Sequence, residues 1–396
     1  MCKKIAIIAQ GIIPIVTAGA VETLTTTLVE ENEKENKCVL TIYSVYDNKA
    51  RKRSMKYNNT KFIYIKINLL YKIIFKIRKY FFSMLHSKNR IVDPYIYSIY
   101  KDLKKNFNKY DYVVIEHGGH LYGYKNLYNL LGSKLYYHSH TNEIPIQKPL
   151  YKNIIAISEF CRKPWLTYFN SKDVVLLHNG IDIRKFKAIV SDDDKIKLRK
   201  KYGIDKNDFL IIFCGRILKE KGVLELVNAV NNIENNDIKL IVVGGLKAMG
   251  NKDEKYVKTV HMAADKSKGK IIFTGHVDNE KLYKYYQMSN IQCVPSICEE
   301  GAGLVAIEGM ATGLALIITK SGGMPEYVTD KCSLIIPNNN MISLNLKKAI
   351  MKLYNDRKLC KTLGENAQKR ANRFSAKNFY HDFINIFDNT VRSVEK

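Results

Sequence analysis

Residues 291–313 read IQCVPSICEEGAGLVAIEGMATG. Ile291 to Val294 reads as a strand leading into the stretch, Glu300-Gly301-Ala302-Gly303 is a glycine-rich turn, and the apolar run from Leu304 reads as a buried helix. Between Glu300 and Thr312 the only polar side chain is Glu308. An ionised carboxylate in such surroundings is costly unless something bonds to it, so the stretch points to a ligand. Glycines at 301 and 303 let the backbone approach that ligand, and a helix starting near Leu304 aims its unpaired N–H groups at an anion. At ~1.5 Å rise per helical residue plus the loop, the two carboxylates stand on the order of 10 Å apart. A nucleotide sugar has that layout, with a hydroxyl-bearing ring at either end of a diphosphate. The competing reading is a core helix whose Glu308 pairs with a buried Arg or Lys.

Outward from this stretch the same pattern repeats. Phe209 to Cys214 is a strand leading into Gly215-Arg216 and then Lys221-Gly222, with a helix to about Ile233. Lys239 to Val243 ends in Gly244-Gly245, Ile271 to Phe273 leads to Thr274-Gly275-His276-Val277, and Leu316 to Ile318 to Ser321-Gly322-Gly323-Met324-Pro325-Glu326. The first half opens with a strand over Lys4 to Ala9, a loop through Gly11 and Gly19, and a helix from Val21 to about Lys34. Strands follow at Cys38 to Val45, Tyr110 to Glu116, Leu135 to His138, Ile154 to Ser158 and Lys172 to Leu177. Six strand and helix units in each half indicate an α/β protein of two Rossmann-like domains facing one another across a cleft. The expected boundaries are an N-terminal domain over 1–186, a polar linker over 187–207 and a C-terminal domain over 208–375. A last helix over 376–396 is expected to pack back on the first domain. Asp192-Asp193-Asp194 reads as a helix N-cap with first-turn acids, so no metal is assigned.

At 396 residues the chain is too long for one ordinary core, and 46% apolar residues mark it as globular. A net charge of +26 calls for a partner or a surface. The excess sits early: residues 49–110 carry 17 Lys or Arg against Asp93 and Asp102, a balance of +15. Residues 61–86 read as a short strand and an amphipathic helix, with Lys72, Lys76 and Lys79 opposite Leu70, Ile73, Ile74, Ile77, Phe81 and Met84. Such a helix either lies on an anionic membrane or packs its apolar side on the sheet. The eight cysteines show no C-x-x-C pair and read as reduced thiols of a cytoplasmic protein. No apolar run reaches the ~20 residues of a membrane span and the N-terminus lacks a signal h-region. The expected location is the cytoplasm, free or peripheral on the inner face of the cell membrane.

A diphosphate needs permanent positive charge and directed donors. Arg216 offers a planar fork and Lys221 a point charge, with the N–H groups near Gly303 and Leu304 adding to them. With these present a metal ion is unnecessary. Glu308 would accept from ribose hydroxyls, Glu300 from sugar hydroxyls, and the backbone around His276 and Val277 would face the base. In the first half, His117, His120, His138 and His140 follow two consecutive strand ends beside Glu116 and Glu143, where an α/β sheet places its active site.

Gly215-Arg216-x4-Lys221-Gly222, Glu300-x7-Glu308 and Ser321-Gly322-Gly323-x-Pro325-Glu326 together resemble the retaining glycosyltransferases of family 4, which have the GT-B fold. Ala18-Gly19-Ala20-Val21-Glu22 is similar to the Gly-Gly-x-x-Glu loop of that family, placing Gly19 and Ala20 in it. His178-Asn179-Gly180-Ile181-Asp182 with Phe186 is similar to its interdomain segment. The resemblance spans nearly the whole chain and is strongest to enzymes that build capsular, exopolysaccharide or other surface glycans. Two departures stand out: Ala18 replaces the first loop glycine, and Ala302 stands where an aromatic is common. The resemblance implies a UDP-sugar donor, retention of anomeric configuration by same-face attack, and a glycan or lipid-linked saccharide acceptor on the N-terminal domain. It also implies a histidine near the sugar's anomeric carbon; His138 and His140 both match, and His140 is preferred. No cofactor and no nucleic-acid partner are expected. The alternatives are a nucleotide-sugar epimerase or hydrolase of the same fold, a basic nucleic-acid-binding protein, and an inactive membrane scaffold.

Overall fold

The structure is a computed structural model that describes residues 2–16, 19–67, 69, 73–74, 76–77, 93–117, 125–142, 153–245, 251–267 and 269–394. The chain divides into two units, Met1–Gly180 with Ala376–Lys396, and Ile181–Ser375. Each is built on a parallel sheet.

In the first unit the strands are β1 (Lys3–Ala9), β2 (Cys38–Val45), β3 (Thr60–Ile65), β4 (Tyr112–His117), β5 (Leu135–Ser139), β6 (Asn153–Ala156) and β7 (Val174–Leu176), in the order β3-β2-β1-β4-β5-β6-β7. All pairs are parallel. Helices cover both faces of such a sheet, so its central strands bury both sides; Ile5, Ala6, Ile7 and Ile8 are all fully buried. The helix Ala20–Glu35 follows β1 and ends at Asn36, in the left-handed conformation that asparagine tolerates. The C-terminal helix Ala376–Val394 belongs to this unit. Its Phe387 ring lies 4.7 Å from that of Tyr112, and the Tyr380 hydroxyl donates to Asn32 Oδ1 at 2.6 Å on the helix Ala20–Glu35.

The second unit carries β8 (Phe209–Cys214), β9 (Ile238–Val243), β10 (Ile271–Gly275), β11 (Ile291–Val294), β12 (Ala315–Thr319) and β13 (Ser333–Ile336), ordered β10-β9-β8-β11-β12-β13. The chain therefore winds outward one way from β8 and the other way from β11. The loops after β8 and β11 therefore diverge at the carboxyl ends of these two strands, and ligands of doubly wound sheets bind at such a point. In the first unit the equivalent divergence lies between β1 and β4. Among the described residues the first sheet's seven strands include β3, the short strand expected at the start of 61–86, while β13 of the second sheet is a strand that the sequence reading did not name.

The expected boundaries shift for a physical reason. The division falls after Gly180 rather than Phe186, and residues 187–207 are not a linker, because their helix Asp192–Lys201 is bolted to the second unit by Arg199. That guanidinium donates to the carbonyls of Met288 (2.9 Å), Asp205 (2.8 Å), Lys206 (2.9 Å) and Asp208 (3.1 Å) and to Asn290 Oδ1 (3.1 Å). The polar composition that suggested a linker is the helix's exposed face. Its N-cap is Ser191, whose hydroxyl accepts from Asp194 N, so the three aspartates are first-turn acids rather than the cap itself.

Of the basic helix expected within 61–86, Lys72 and Lys79 lie outside the described residues, as do Leu70, Phe81 and Met84. Ile73, Ile74, Lys76 and Ile77 are helical and exposed. No helix among the described residues is long and apolar enough to cross a membrane.

Candidate functional site

In the second unit, the sequence from β8 to the helix Leu304–Ala311 converges on the divergence point. β8 ends at Cys214; the loop beyond it turns at Gly222, whose φ of +67° and approach to Pro295 admit no side chain, since an added Cβ would stand 1.9 Å from the Pro295 carbonyl oxygen. This contact brings the Lys221 segment onto the loop after β11. Lys221 Nζ lies 2.6 Å from Glu300 Oε1, and the Ser296 hydroxyl donates to the same oxygen at 2.7 Å. Both bonds fall on Oε1.

Glu300 is held from behind by the loop after β12. Gly323 N donates to Glu300 O at 2.7 Å, and Gly322, at φ +54°, sits so close that a Cβ would be 2.2 Å from the same carbonyl. The Ser321-Gly322-Gly323 run thus has a task the spacing alone did not reveal: it seats the Glu300 backbone. Gly322→Ala is expected to strain the left-handed turn by roughly 1–3 kcal/mol and to push the Glu300 carbonyl away. Circular dichroism should show a folded protein with donor binding weakened more than 10-fold, an order taken from that strain; undisturbed binding would mean that Gly322 does not seat Glu300.

Gly303 caps the helix Leu304–Ala311 at φ +92°, where an added Cβ would meet the Met324 side chain at 3.2 Å. The helix begins at Leu304 as its sequence indicates, with no side-chain cap. Ala306 N donates to Gly303 O at 3.0 Å, and the N–H groups of Leu304 and Val305 are the ones left to face an anion. Beneath it, Gln292 on β11 is fully buried, donates from Nε2 to Val305 O at 2.9 Å, and lies against Gly309, where a Cβ would stand 1.8 Å from Gln292 Oε1.

On this helix Glu308 accepts from the Tyr286 hydroxyl at 2.7 Å. No buried Arg or Lys pairs with it among the described residues, so the competing core ion pair is not what holds it. Burial pushes Glu308 up to about 7, with the Tyr286 hydrogen bond pulling the other way. Burial, together with the nearby Cys214 and Glu308, holds the Tyr286 hydroxyl well above the ordinary phenol range. The Cys214 thiol is pushed up to about 12, by burial first and by the Glu308 charge second. Arg216 is exposed on the loop after β8, and His276 is exposed just beyond β10, whose end is pinned to β9 by Gly244 N donating to Gly275 O at 3.0 Å. Val277 follows, half-buried. Arg216, Lys221, Glu300, Gly303, Leu304 and Glu308 are thus all carried by the second unit around β8 and β11.

The first unit carries a separate cluster. Glu116 on β4 is the direct neighbour of His138 on β5. Its Oε1 stands 3.0 Å from His138 Nδ1 and its Oε2 2.6 Å from His140 Nε2. The two imidazoles lie against one another with centroids 4.2 Å apart and planes tilted by 44°. Burial alone would raise Glu116, but the two adjacent histidines outweigh it and hold the carboxyl well below the usual carboxylate range. Burial and the neighbouring His138 lower His140, against the raising influence of Glu116 and Glu22. Glu22 also packs under the loop after β1: a Cβ on Gly11 or Gly19 would stand 2.3 or 2.1 Å from its carboxylate. Gly19 is therefore fixed by Glu22, while Ala20 opens the helix. Glu116, His138 and His140 are also the set of described side chains whose ligand atoms could hold a cation, all within 4.8 Å of one another. His117 lies at the end of β4, and His120 and Glu143 lie outside the described residues.

Three residues here had no signal of their own in the sequence. Ser296 and Tyr286 are common residue types in ordinary settings, and Gln292 interrupts an apolar strand.

Residues 194–370 match the model of the glycosyl transferases group 1 family. The matched span covers most of the second unit, including every donor-site candidate named above. The chain is 30% identical over 202 residues to the lipopolysaccharide 1,2-N-acetylglucosaminetransferase of Salmonella typhimurium, covering 50% of this chain and 52% of that one. It is 28% identical to the capsular polysaccharide biosynthesis glycosyltransferase CapM of Staphylococcus aureus, covering 61% of this chain and 63% of that one. The chain spans about half the length of the curated relatives it matches first. Among solved structures, the Anabaena protein HepE in complex with UDP and glucose superposes with a TM-score of 0.74 at 17% identity, covering 98% of this chain and 100% of that one. The fold is thus α/β with two parallel-sheet, Rossmann-like units, as in GT-B proteins.

Proposed function

We propose that this protein is a retaining glycosyltransferase that moves a hexose-type sugar from a UDP-sugar to a glycan or lipid-linked saccharide in the synthesis of a surface polysaccharide. The observation that carries the reading is the Lys221–Glu300–Ser296 set beside the open N-terminus of the helix Leu304–Ala311, at the divergence of β8 and β11. The family match over residues 194–370 supports it.

In this reading Lys221, Arg216 and the N–H groups at Gly303 and Leu304 offset the charge that develops on the departing diphosphate, which needs no metal ion. Glu300 keeps Oε1 on Lys221 and Ser296 and offers Oε2 to a sugar hydroxyl. Glu308 accepts from the ribose, and the backbone at His276 and Val277 faces the base. A glycosidase-type double displacement needs a carboxylate nucleophile under the anomeric carbon; Glu300 is committed to Lys221 and to the sugar hydroxyls, so attack comes from the face the nucleotide leaves. The departing phosphate oxygen takes the acceptor proton. The first unit binds the acceptor, with His140 assigned to the anomeric region and the basic segment over 49–110 suited to an anionic membrane surface.

The test is a panel of UDP-, GDP- and ADP-sugars with and without lipid-linked acceptors. The expected result is slow nucleotide release alone and a glycan product of retained configuration with acceptor. Rapid release without any glycan, or interconversion of the sugar, would replace this reading by a hydrolase or an epimerase.

The state of Glu308 gives a pH dependence. Glu308 offers both oxygens purely as acceptors, and accepts most strongly from ribose hydroxyls, when ionised, so those donors lower its pKa in the complex below its value of about 7 in the free protein. Donor affinity should therefore rise with pH up to about 7 and level off above it. Tyr286→Phe removes the hydrogen bond that favours the ionised form, so the inflection should move to higher pH. Calorimetric titration with UDP between pH 5.5 and 8.5 reads both; a flat profile in the wild type would remove Glu308 from the nucleotide site.

A further inference from the structure

The Glu116 cluster carries an inference beyond the donor site, resting on the assignment of His140 to the transfer reaction. An ionised carboxylate only accepts hydrogen bonds. Both ring nitrogens that face Glu116 must then carry hydrogens, His138 at Nδ1 (3.0 Å) and His140 at Nε2 (2.6 Å). The shorter bond is to His140, whose side chain is 7% exposed, while the carboxylate and His138 are buried. Among the described residues His138 Nε2 is buried without a hydrogen-bond partner, so within that set His138 supports the carboxylate from one side only. With Nε2 committed to Glu116, the nitrogen of His140 left for a substrate is Nδ1.

We propose that Glu116 is a positioning residue that fixes His140 in the Nε2–H tautomer, so that His140 meets substrate through Nδ1 as a hydrogen-bond acceptor. This specifies the partner chemically: His140 Nδ1 receives a hydroxyl hydrogen, from the donor sugar or from the acceptor, and does not donate to an oxygen. A histidine in the other tautomer would present a hydrogen where the hydroxyl needs a lone pair. Orientation of a catalytic imidazole by a buried carboxylate is worth large factors elsewhere, through the tautomer as much as through charge. Among the described residues, the titratable groups that act on the His140 ring are Glu116 on β4 and His138 on β5, both in contact with it, and the charge of Glu22 on the helix Ala20–Glu35.

The experiment is nitrogen NMR of the full-length protein labelled with 15N-histidine, with His140→Gln used to assign the signal, alongside steady-state kinetics of Glu116→Gln and Glu116→Asp. The wild type is expected to show a pyrrole-type Nε2 and a pyridine-type Nδ1 at His140. Glu116→Gln, which offers the ring an amide as well as a carbonyl, is expected to mix the tautomers and to lower kcat on the order of 10²-fold with donor KM changed little. Glu116→Asp should recover part of the loss. A pyrrole-type Nδ1 in the wild type overturns the proposal, as does a tautomer change in Glu116→Gln that leaves kcat intact. One equivalent of tightly bound zinc or manganese that shifts both imidazoles would also overturn it, by making the set a metal centre. Should Glu116→Gln fail to fold, the wild-type spectrum still decides. If no nucleotide sugar is ever turned over, the functional reading fails, while the tautomer measurement stands on its own.

Discussion

Lys221→Ala should lower glycosyl transfer by roughly 10²–10³-fold in kcat/KM with the protein still folded. The ammonium lies 2.6 Å from Glu300 Oε1 and keeps 24% of its side chain exposed, so it is both aimed and reachable. A charge facing another at ~4 Å in a partly desolvated site is worth about 4 kcal/mol before screening, and loss of one directed donor to developing charge typically costs ~2.7–4 kcal/mol. The same substitution strips Glu300 of its partner, although the Ser296 hydroxyl remains on that oxygen. Two further variants separate these effects. Lys221→Arg keeps the charge but not the point geometry and should recover only part of the rate. Glu300→Gln leaves the diphosphate cation in place and should act mainly on the sugar. Arg216→Ala and Glu308→Ala should each lower transfer in the same direction. Steady-state kinetics beside a thermal melt provide the check; near-normal transfer in Lys221→Ala, Arg216→Ala and Glu308→Ala together would mean that the donor is held elsewhere.

Arg199→Ala should destabilise the second unit by about 3–5 kcal/mol while leaving the chemistry of the donor site intact. The guanidinium is 6% exposed and satisfies four carbonyls and one side-chain amide at once. Removing it leaves those buried acceptors unpaired and frees the helix Asp192–Lys201 from the loops before β8 and β11. In a unit of this size each kcal/mol moves the melting temperature by ~2–4 °C, so a drop of about 10 °C is expected. Equilibrium urea unfolding measures it, and Arg199→Lys should recover little because one ammonium cannot reach five acceptors. A loss under 1 kcal/mol would restore the linker reading of this segment.

These two residues also mark what a sequence can and cannot disclose. The bounds of β2, β8 and β11 and the start of the helix at Leu304 were readable from largely apolar segments and from what interrupts them: Asp47 just past β2, Gly215 after β8, Pro295 after β11, and Gly303, at positive φ, before the helix. Glu300 and Glu308 stood out because a carboxylate amid apolar residues demands a partner. The identity of that partner was not readable: Lys221 is 79 residues from Glu300, and Tyr286 reaches Glu308 from a short helix that looks ordinary. Arg199 was misread for a related reason, since a charged residue in a polar run gives no sign that it bonds main-chain carbonyls. The histidines were recognised at their strand ends, but Glu116 as the group that ties His138 to His140 emerged only from the adjacency of β4 and β5.

The most direct test of the donor site is a crystal structure of the protein grown with UDP. The account predicts the diphosphate within hydrogen-bond reach of Lys221 Nζ and the N–H of Leu304, with the ribose hydroxyls on Glu308. Nucleotide bound away from the divergence of β8 and β11, or no binding of UDP, GDP or ADP at millimolar concentration, would contradict it.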